Sequence, residues 1–236
     1  MSVAEEKKLA AEKAVELIKP GMVVGLGTGS TVHFVLLKIA ELISKQTLNG
    51  ILCIPTSVDT ETKARELKLP LTTLDENPLI DITIDGADEV SMEENERSVK
   101  INLIKGGGGA LLREKIVAQA SEQFVIIIDN AKVSKLLFEK WALPVEVIKF
   151  AVRTETEYLI SLGGKPVLRK DTNGRNYITD EGNYILDTTF LPGKNLYELD
   201  ILLNKRAGIV EHGLFLDMAN SVITNTKVIT SHINIL

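Results

Sequence analysis

The sequence predicts an α/β protein: an open, mostly parallel Rossmann-like sheet with helices on both faces, plus a smaller ferredoxin-like α+β domain. Two observations predict this fold. Before Pro144, short apolar runs alternate with glycine-rich turns and amphipathic helical segments, as in parallel α/β sheets. After Pro144 the predicted order is strand, helix, strand, strand, helix, strand, which is that of a split βαβ unit. We expect the Rossmann-like domain over residues 1–133 and 211–236, and the ferredoxin-like domain over residues 134–210.

In the first half, apolar periodicity defines the elements. Helical spacing over Ala4–Lys19 ends at Pro20-Gly21. Phe124–Ile128, an unbroken apolar run, is the clearest buried strand. The other predicted strands are Met22–Leu26, Ile51–Ile54, Leu71–Leu74 and Ile80–Ile84, and the other predicted helices are Val32–Ile43 and Asp59–Leu67. We expect the polar stretch Ser91–Lys100 to be an exposed loop or insertion.

In the second half, Asp171–Gly174 predicts a hairpin turn. The predicted strands are Val145–Phe150, Pro166–Arg169 and Gly208–Val210, with Tyr177–Thr179 and Tyr184–Thr188 together as the strand material that follows the turn, and the predicted helices are Thr154–Leu162 and Asn195–Leu203. We expect His212–Leu236 to return to the first sheet.

Composition and charge narrow the class of protein. The chain is 44% hydrophobic and 25% charged, which is ordinary for a globular protein. Its net charge of −5 without clustered Lys and Arg argues against a nucleic-acid partner. No apolar run is long enough to span a membrane and no secretory signal is apparent, so we expect a cytoplasmic protein. The single cysteine, Cys53, cannot form an internal disulfide and is expected to be buried.

Gly25–Thr31 lies between a predicted strand and a predicted helix and contains three glycines. Backbone N–H groups at such a turn, together with the helix N-terminus, favour a phosphate. The run lacks the last glycine of a dinucleotide fingerprint and the lysine of a Walker loop. A plain tight turn that caps the helix remains the alternative.

Asp85-Gly86-Ala87-Asp88-Glu89 follows the predicted strand Ile80–Ile84. Ligands of parallel sheets bind beyond the carboxyl ends of the strands, so Asp85 and Asp88 can converge on one small molecule. They could bind sugar hydroxyls or take part in acid-base steps. A helix cap with a solvated turn remains the alternative.

A run of four glycines follows Lys105 and precedes a helix that carries Glu114. Glycine is entropically costly in a folded chain, so four in succession suggest that backbone amides approach an anion. Lys105 places a positive charge beside this loop. Glu114 alone could be an ordinary acid near a helix N-terminus, and we expect its neighbour Lys115 to be solvated.

Together the three segments resemble the A-type ribose-5-phosphate isomerase family. The runs Lys-Gly-Gly-Gly-Gly-Ala-Leu-Leu-Arg-Glu-Lys and Asp-Gly-Ala-Asp-Glu-Val carry the resemblance. It extends to Pro144–Ile148 and Gly208–Phe215, and so covers nearly the whole chain. One departure is the segment between Asp88 and Lys105, which is longer than the family pattern.

The resemblance implies a role for each matching position. Glu114 matches the catalytic base, Asp85 and Asp88 match acids at the sugar end, and Lys105 matches the residue that stabilises negative charge. In the mechanism that the resemblance implies, an aspartate near O1 and O4 opens the sugar ring, with Asp85 favoured over Asp88, and Glu114 moves a proton between C2 and C1 through an enediolate. The substrate-binding positions implied are Thr28, Gly29, Ser30, Thr31, Gly86, Ala87, Gly106, Gly107, Gly108, Lys132 and Lys7.

The resemblance also implies that the enzyme needs no metal and no cofactor, binds a small sugar phosphate, and forms a homodimer or homotetramer. Other classes remain possible on a related fold. An aminosugar-phosphate isomerase/deaminase would need a catalytic histidine, but His33, His212 and His232 lie outside the three segments. A CoA transferase would form a glutamyl thioester. A non-catalytic sugar-phosphate sensor should lack the base or the lysine, and both are present.

Overall fold

The computed structural model describes residues 2–94 and 98–231. The helices are α1 (Val3–Val15), α2 (Val32–Ser44), α3 (Val58–Glu66), α4 (Leu111–Gln119), α5 (Val152–Ser161) and α6 (Leu196–Asn204). The strands are β1 (Val23–Leu26), β2 (Leu52–Pro55), β3 (Ile80–Asp85), β4 (Glu89–Glu94), β5 (Val99–Ile104), β6 (Ser121–Ile127), β7 (Val133–Ser134), β8 (Leu143–Val147), β9 (Lys165–Leu168), β10 (Tyr184–Thr189), β11 (Ile209–His212), β12 (Leu214–Leu216), β13 (Ser221–Ile223) and β14 (Val228–Thr230). Short 3₁₀ turns lie at Asn130–Lys132 and Lys149–Ala151. No helix in the described ranges is long and apolar enough to cross a membrane.

A six-stranded sheet in the order β14-β13-β6-β3-β1-β2 frames the larger part of the molecule. All neighbouring strands are parallel except β14, which pairs antiparallel with β13. Ala11 of α1, Val35 and Ile39 of α2 belong to the same buried core as the sheet. Leu26 of β1 lies opposite Ile84 of β3. The carboxyl ends of these two strands therefore meet at the edge where such sheets bind ligands.

A separate four-stranded antiparallel sheet has the order β11-β8-β10-β9. Along the chain its elements are β8, α5, β9, β10, α6 and β11, which is the ferredoxin-like order that the sequence predicts. Val145, Leu159, Leu186 and Leu203 belong to one apolar core, which also includes Ile104 of β5 and Leu214 of β12. We propose residues 134–210 as a second domain, a division that limited proteolysis would test.

A third sheet, in the order β12-β5-β4-β7, has no counterpart in the sequence prediction. The expectation of an exposed loop over Ser91–Lys100 is wrong, because β4 and β5 form an antiparallel hairpin across it. The predicted loop also includes residues 95–97, which lie outside the described residues. The outer cross-strand pair Glu93–Lys100 is charged and resembles a loop, whereas the inner pair Val90–Leu103 is buried. Burial of the inner half accounts for the strand pairing.

Two further strand predictions are wrong. In Leu71–Leu74 only Leu71 forms a bridge, to Cys53, which is buried as expected. Tyr177–Thr179 forms no strand, and its side chains instead make polar contacts with other elements. The chain after His212 does return to the first sheet through β13 and β14, although β12 joins the third sheet.

Candidate active site

The turn after β1 is fixed to the end of β3 by a buried carboxylate. Asp85 is fully buried, and its Oδ1 accepts hydrogen bonds from the N–H groups of Thr28 (3.0 Å) and Gly86 (2.7 Å). Thr31, at the start of α2, makes no side-chain capping hydrogen bond. The alternative that the hydroxyls of this turn merely cap the helix is therefore not supported. Ser30 Oγ instead accepts a hydrogen bond from Lys7 Nζ at 3.0 Å.

Lys105 joins two carboxylates beneath this turn. Its Nζ lies 2.9 Å from Asp85 Oδ2 and 3.4 Å from Glu114 Oε2, and it donates a hydrogen bond to the Gly86 carbonyl at 2.6 Å. Burial opposes the charge of Lys105, but Asp85 and Glu114 outweigh burial, so the pKa of Lys105 is raised. Lys105 is therefore a fixed cation in a site with little access to water.

Glu114 lies in the first turn of α4 and is 3% exposed. Burial raises the pKa of Glu114 to about 8; the charge of Lys105 opposes this rise and the charges of Asp85 and Asp88 add to it. Among the described residues, no donor is aligned to hydrogen-bond Oε2 of Glu114. This oxygen is thus free to exchange a proton at a pH near neutrality, which is what a general base requires.

The glycine loop, Gly106–Gly108, connects β5 to α4 and contacts the second acid. The N–H of Gly107 donates to Asp88 Oδ2 at 2.6 Å. A Cβ atom at position 107 would lie 2.4 Å from Asp88 Oδ1, so the close approach requires glycine. Burial raises the pKa of Asp88, against the hydrogen bond from Gly107.

A polar cavity of about 190 Å³ lies where these segments meet. Its lining consists of Lys7, Thr28, Gly29, Ser30, Thr31, Gly86, Ala87, Asp88, Lys105, Gly106, Gly107, Gly108, Glu114 and Lys132. The structure thus brings fourteen of the predicted site residues to one cavity, and the fifteenth, Asp85, contacts Lys105 behind the lining.

Lys132, another cation in the cavity wall, contacts Trp141, which is not one of the predicted site residues. Lys132 Nζ lies 4.8 Å from the ring of Trp141. The fully buried Glu89 accepts hydrogen bonds from the N–H groups of residues 138–141, at 3.0–3.3 Å. Glu89, the last acid of the Asp-Gly-Ala-Asp-Glu run, therefore anchors the turn that carries Trp141.

The expectation that Lys115 is solvated is wrong. Its Nζ donates to Glu211 Oε1 (2.6 Å) and to the His212 carbonyl (2.7 Å), and lies 4.8 Å from the Phe215 ring. The position of Lys115 next to Glu114 in the helix suggests exposure to solvent. Strands β11 and β12, which follow α6, cover this face of α4 instead.

Two residues of the segment between β9 and β10 contact the glycine loop and were not predicted from the sequence. Arg169 donates to the carbonyls of Gly106 and Gly107, and Tyr177 donates to that of Gly108. Neither lies near a motif, so no local signal identifies them. In residues 2–94 and 98–231, no group of three or more His, Cys, Asp or Glu side chains could hold a metal ion.

A parallel α/β sheet with a buried carboxylate, a lysine and a second acid at its strand ends defines an enzyme of acid-base chemistry on a small polar molecule. The family model described as ribose 5-phosphate isomerase A (phosphoriboisomerase A) matches residues 52–228. The chain belongs to the ribose-5-phosphate isomerase A family, as the sequence motifs predict, and interconverts ribose 5-phosphate and ribulose 5-phosphate.

Individual relatives agree over nearly the full length. Ribose-5-phosphate isomerase A of Desulfatibacillum aliphaticivorans is 50% identical over 217 residues, covering 92% of this chain and 91% of the relative. A structure of D-ribose-5-phosphate isomerase in complex with phospho-erythronic acid has a TM-score of 0.90 at 36% identity, covering 99% and 100% of the two chains. Ribose 5-phosphate isomerase from Plasmodium falciparum has a TM-score of 0.89 at 40% identity, covering 98% and 99%. These similarities confirm the predicted fold class.

Proposed function

We propose that Glu114 moves a proton between C2 and C1 of the open-chain sugar phosphate through an enediolate. The observation that carries this proposal is the buried Glu114 carboxylate, with Oε2 3.4 Å from Lys105 Nζ and no aligned hydrogen-bond donor. A base raised in pKa beside a fixed cation suits proton abstraction next to a carbonyl, because the cation stabilises the oxyanion that forms.

The substrate's phosphate is proposed to bind at the end of the cavity that holds Lys7, Ser30 and Thr31. Lys7 supplies a cation there, and the turn after β1 supplies hydroxyls and N–H groups. Lys105 supplies a second cation, beside the proposed general base Glu114. The related enzyme bound to phospho-erythronic acid carries a ligand with a phosphate and a carboxylate. A cavity with cations at both places suits such a ligand, and by extension a sugar phosphate in its enediolate form.

Ring opening is assigned to Asp88 rather than to Asp85. Asp88 lines the cavity, and burial raises its pKa. Asp85 is fully buried and already occupied by Thr28, Gly86 and Lys105. A carboxyl group that exchanges a proton with the ring oxygen must reach it, which favours Asp88.

We propose a series of proton transfers that together leave both carboxyl groups as they began. Asp88 removes the O1 proton of the ring form and protonates O4, which leaves an open-chain aldehyde. Glu114 takes the C2 proton, and the electron pair moves to form a C1–C2 double bond with negative charge on O1, near Lys105. The O2 proton moves to O1, and Glu114 returns its proton to C1, which gives the ketone at C2. Positioned acid-base catalysis of this kind contributes about 10²–10⁴-fold.

Formation of ketose from ribose 5-phosphate, measured spectroscopically, tests the proposal. Unphosphorylated ribose is the control for the phosphate end: it should react far more slowly. Equal turnover of the two sugars would contradict the proposed binding mode. A homodimer or homotetramer remains a proposal, which light scattering with size-exclusion chromatography would test.

A further inference from the structure

We propose that Arg169 and Tyr177 are positioning residues that hold the glycine loop, and through it Asp88, in the arrangement that ring opening requires. Neither residue lines the cavity, so neither is assigned a contact with substrate. The proposal rests on the proposed function, because it concerns the same reaction.

Arg169 binds the loop from the side of the small sheet. Its Nη1 donates to the carbonyls of Gly106 (3.0 Å) and Gly107 (3.1 Å). Its Nε and Nη2 donate to the two carboxylate oxygens of Asp187 on β10. The Arg169 side chain is only 13% exposed. A planar guanidinium with donors engaged by both partners has a defined orientation, so it fixes the two carbonyls that it contacts.

Tyr177 completes the contact. Its hydroxyl donates to the Gly108 carbonyl at 3.1 Å, and its ring lies 5.7 Å from Cζ of Arg169. Three successive carbonyls of the loop therefore accept hydrogen bonds from two adjacent side chains. A Cβ atom at Gly109 would lie 2.3 Å from the Tyr177 hydroxyl oxygen, which shows how closely the loop approaches the tyrosine.

The planarity of the peptide bond transmits this contact to the cavity. The Gly106 carbonyl and the Gly107 N–H belong to one peptide unit and point in opposite directions, because the bond is trans. Arg169 binds the carbonyl on one side, and Asp88 accepts the N–H at 2.6 Å on the other. Rotation of this peptide after loss of Arg169 would move the hydrogen bond to the proposed ring-opening acid.

A matched control pair lies on the helical side of the four-stranded antiparallel sheet: Tyr158 in α5 and Arg206 just after α6. Arg206 donates to both carboxylate oxygens of Glu155 and lies 4.3 Å from the Tyr158 ring, and the Tyr158 hydroxyl donates to the Leu202 carbonyl. This pair has the same chemistry as Arg169 and Tyr177, but all of these partners lie within the small sheet and its helices. Substitutions there report the structural cost alone.

The experiment compares Arg169→Lys and Tyr177→Phe with Arg206→Lys and Tyr158→Phe. Each variant is assayed for kcat and KM with ribose 5-phosphate, for exchange of the C1 proton of ribulose 5-phosphate with deuterated water, and for its thermal midpoint. Ribulose 5-phosphate cannot close a furanose ring, so this exchange requires the enediolate but no ring opening or closure. We expect forward kcat to fall about 10- to 100-fold in Arg169→Lys and about 3- to 10-fold in Tyr177→Phe, since small displacements of catalytic groups cost up to about 10²-fold. The C1 exchange of ribulose 5-phosphate should lose several-fold less.

The control variants should keep forward kcat within about 2-fold of the wild type while losing a similar thermal stability. Forward kcat in Arg169→Lys and Tyr177→Phe equal to that of the controls, or a loss in C1 exchange equal to the loss in forward kcat, would overturn the proposal. If Arg169→Lys does not fold, Tyr177→Phe, which removes one oxygen atom, decides the question. A wild-type protein that forms no ketose would instead overturn the proposed function.

Discussion

Glu114 Oε2 lies 3.4 Å from Lys105 Nζ, with both side chains buried at the carboxyl end of the parallel sheet. The ion pair does not keep the pKa of Glu114 low, because burial and the nearby charges of Asp85 and Asp88 raise it to about 8. This supports the proposal that Glu114 accepts a proton from carbon while Lys105 stays charged and stabilises the resulting oxyanion.

The pH dependence of kcat/KM should report Glu114. A base acts when deprotonated, so kcat/KM should rise with pH, reach half of its maximum near the pKa of about 8, and level off above it, far from the ordinary pKa of 4.5. Lys105→Met removes a charge that lowers this pKa, so the pKa of Glu114 should rise further. Carbon-13 NMR of the labelled Glu114 carboxyl group measures it even if turnover is lost. A lower pKa of Glu114 in Lys105→Met would contradict the electrostatic account.

Asp88→Asn should separate ring opening from proton transfer. Turnover of ribose 5-phosphate should fall by at least about 10²-fold, because a positioned acid-base group is lost. Exchange of the C1 proton of ribulose 5-phosphate with deuterated water should fall much less, since it requires the enediolate but no ring step. Both rates, measured for Asp88→Asn, check this prediction. Equal losses would assign Asp88 to the proton transfer at carbon instead.

Removal of metal ions should leave activity intact. Lys105 and the glycine-loop N–H groups provide the positive charge that the oxyanion needs, so no Lewis acid is required. After dialysis against a chelator, kcat should remain within about 2-fold of its starting value, a change too small to reflect loss of a Lewis acid. Activity that returns only on addition of Mg²⁺ or Zn²⁺ would refute this mechanism.

His212 should make the fold sensitive to acid. It is fully buried, its Nδ1 accepts the N–H of Leu214, and burial and the charge of Lys115 hold its pKa well below 6.5. The unfolded chain binds this proton more readily, so stability falls as pH drops below about 6.5, by up to about 1.4 kcal/mol per pH unit.

The variant His212→Asn removes the titrating ring but keeps a polar side chain. Urea unfolding of both proteins between pH 7.5 and pH 5 measures the contribution of His212 together with its coupling to Asp200, whose Oδ1 lies 3.4 Å from His212 Nε2. The free energy of unfolding should fall less steeply with decreasing pH in the variant. The same slope in both proteins would show that His212 does not control acid stability.

The sequence predicts β1, β2, β3 and β6 of the six-stranded sheet because they are continuous apolar runs, and it predicts the ferredoxin-like sheet from its order of elements. It misses the third sheet because β7 and β12 lie far in the chain from the hairpin of β4 and β5, and because the charged pair Glu93–Lys100 resembles a loop. The motifs predict the cavity well, since glycines and acids at strand ends leave a local signature.

The positioning contacts leave no such signature. Arg169 reaches the glycine loop across the interface between two sheets, and its partner Asp187 lies on another strand. Lys115 appears solvent-facing by helical spacing, yet residues from β11 cover it. The sequence favours Asp85 for ring opening, whereas the position of Asp88 in the cavity lining supports the proposal that Asp88 takes this role.

The most direct test of the mechanism is Glu114→Gln, which keeps the shape of the side chain but removes the base. In deuterated water, the variant should bind ribose 5-phosphate with near-wild-type affinity, lose at least about 10³-fold in kcat, and fail to exchange the carbon-bound proton. Near-normal turnover, or exchange at the wild-type rate, would show that another group moves the proton.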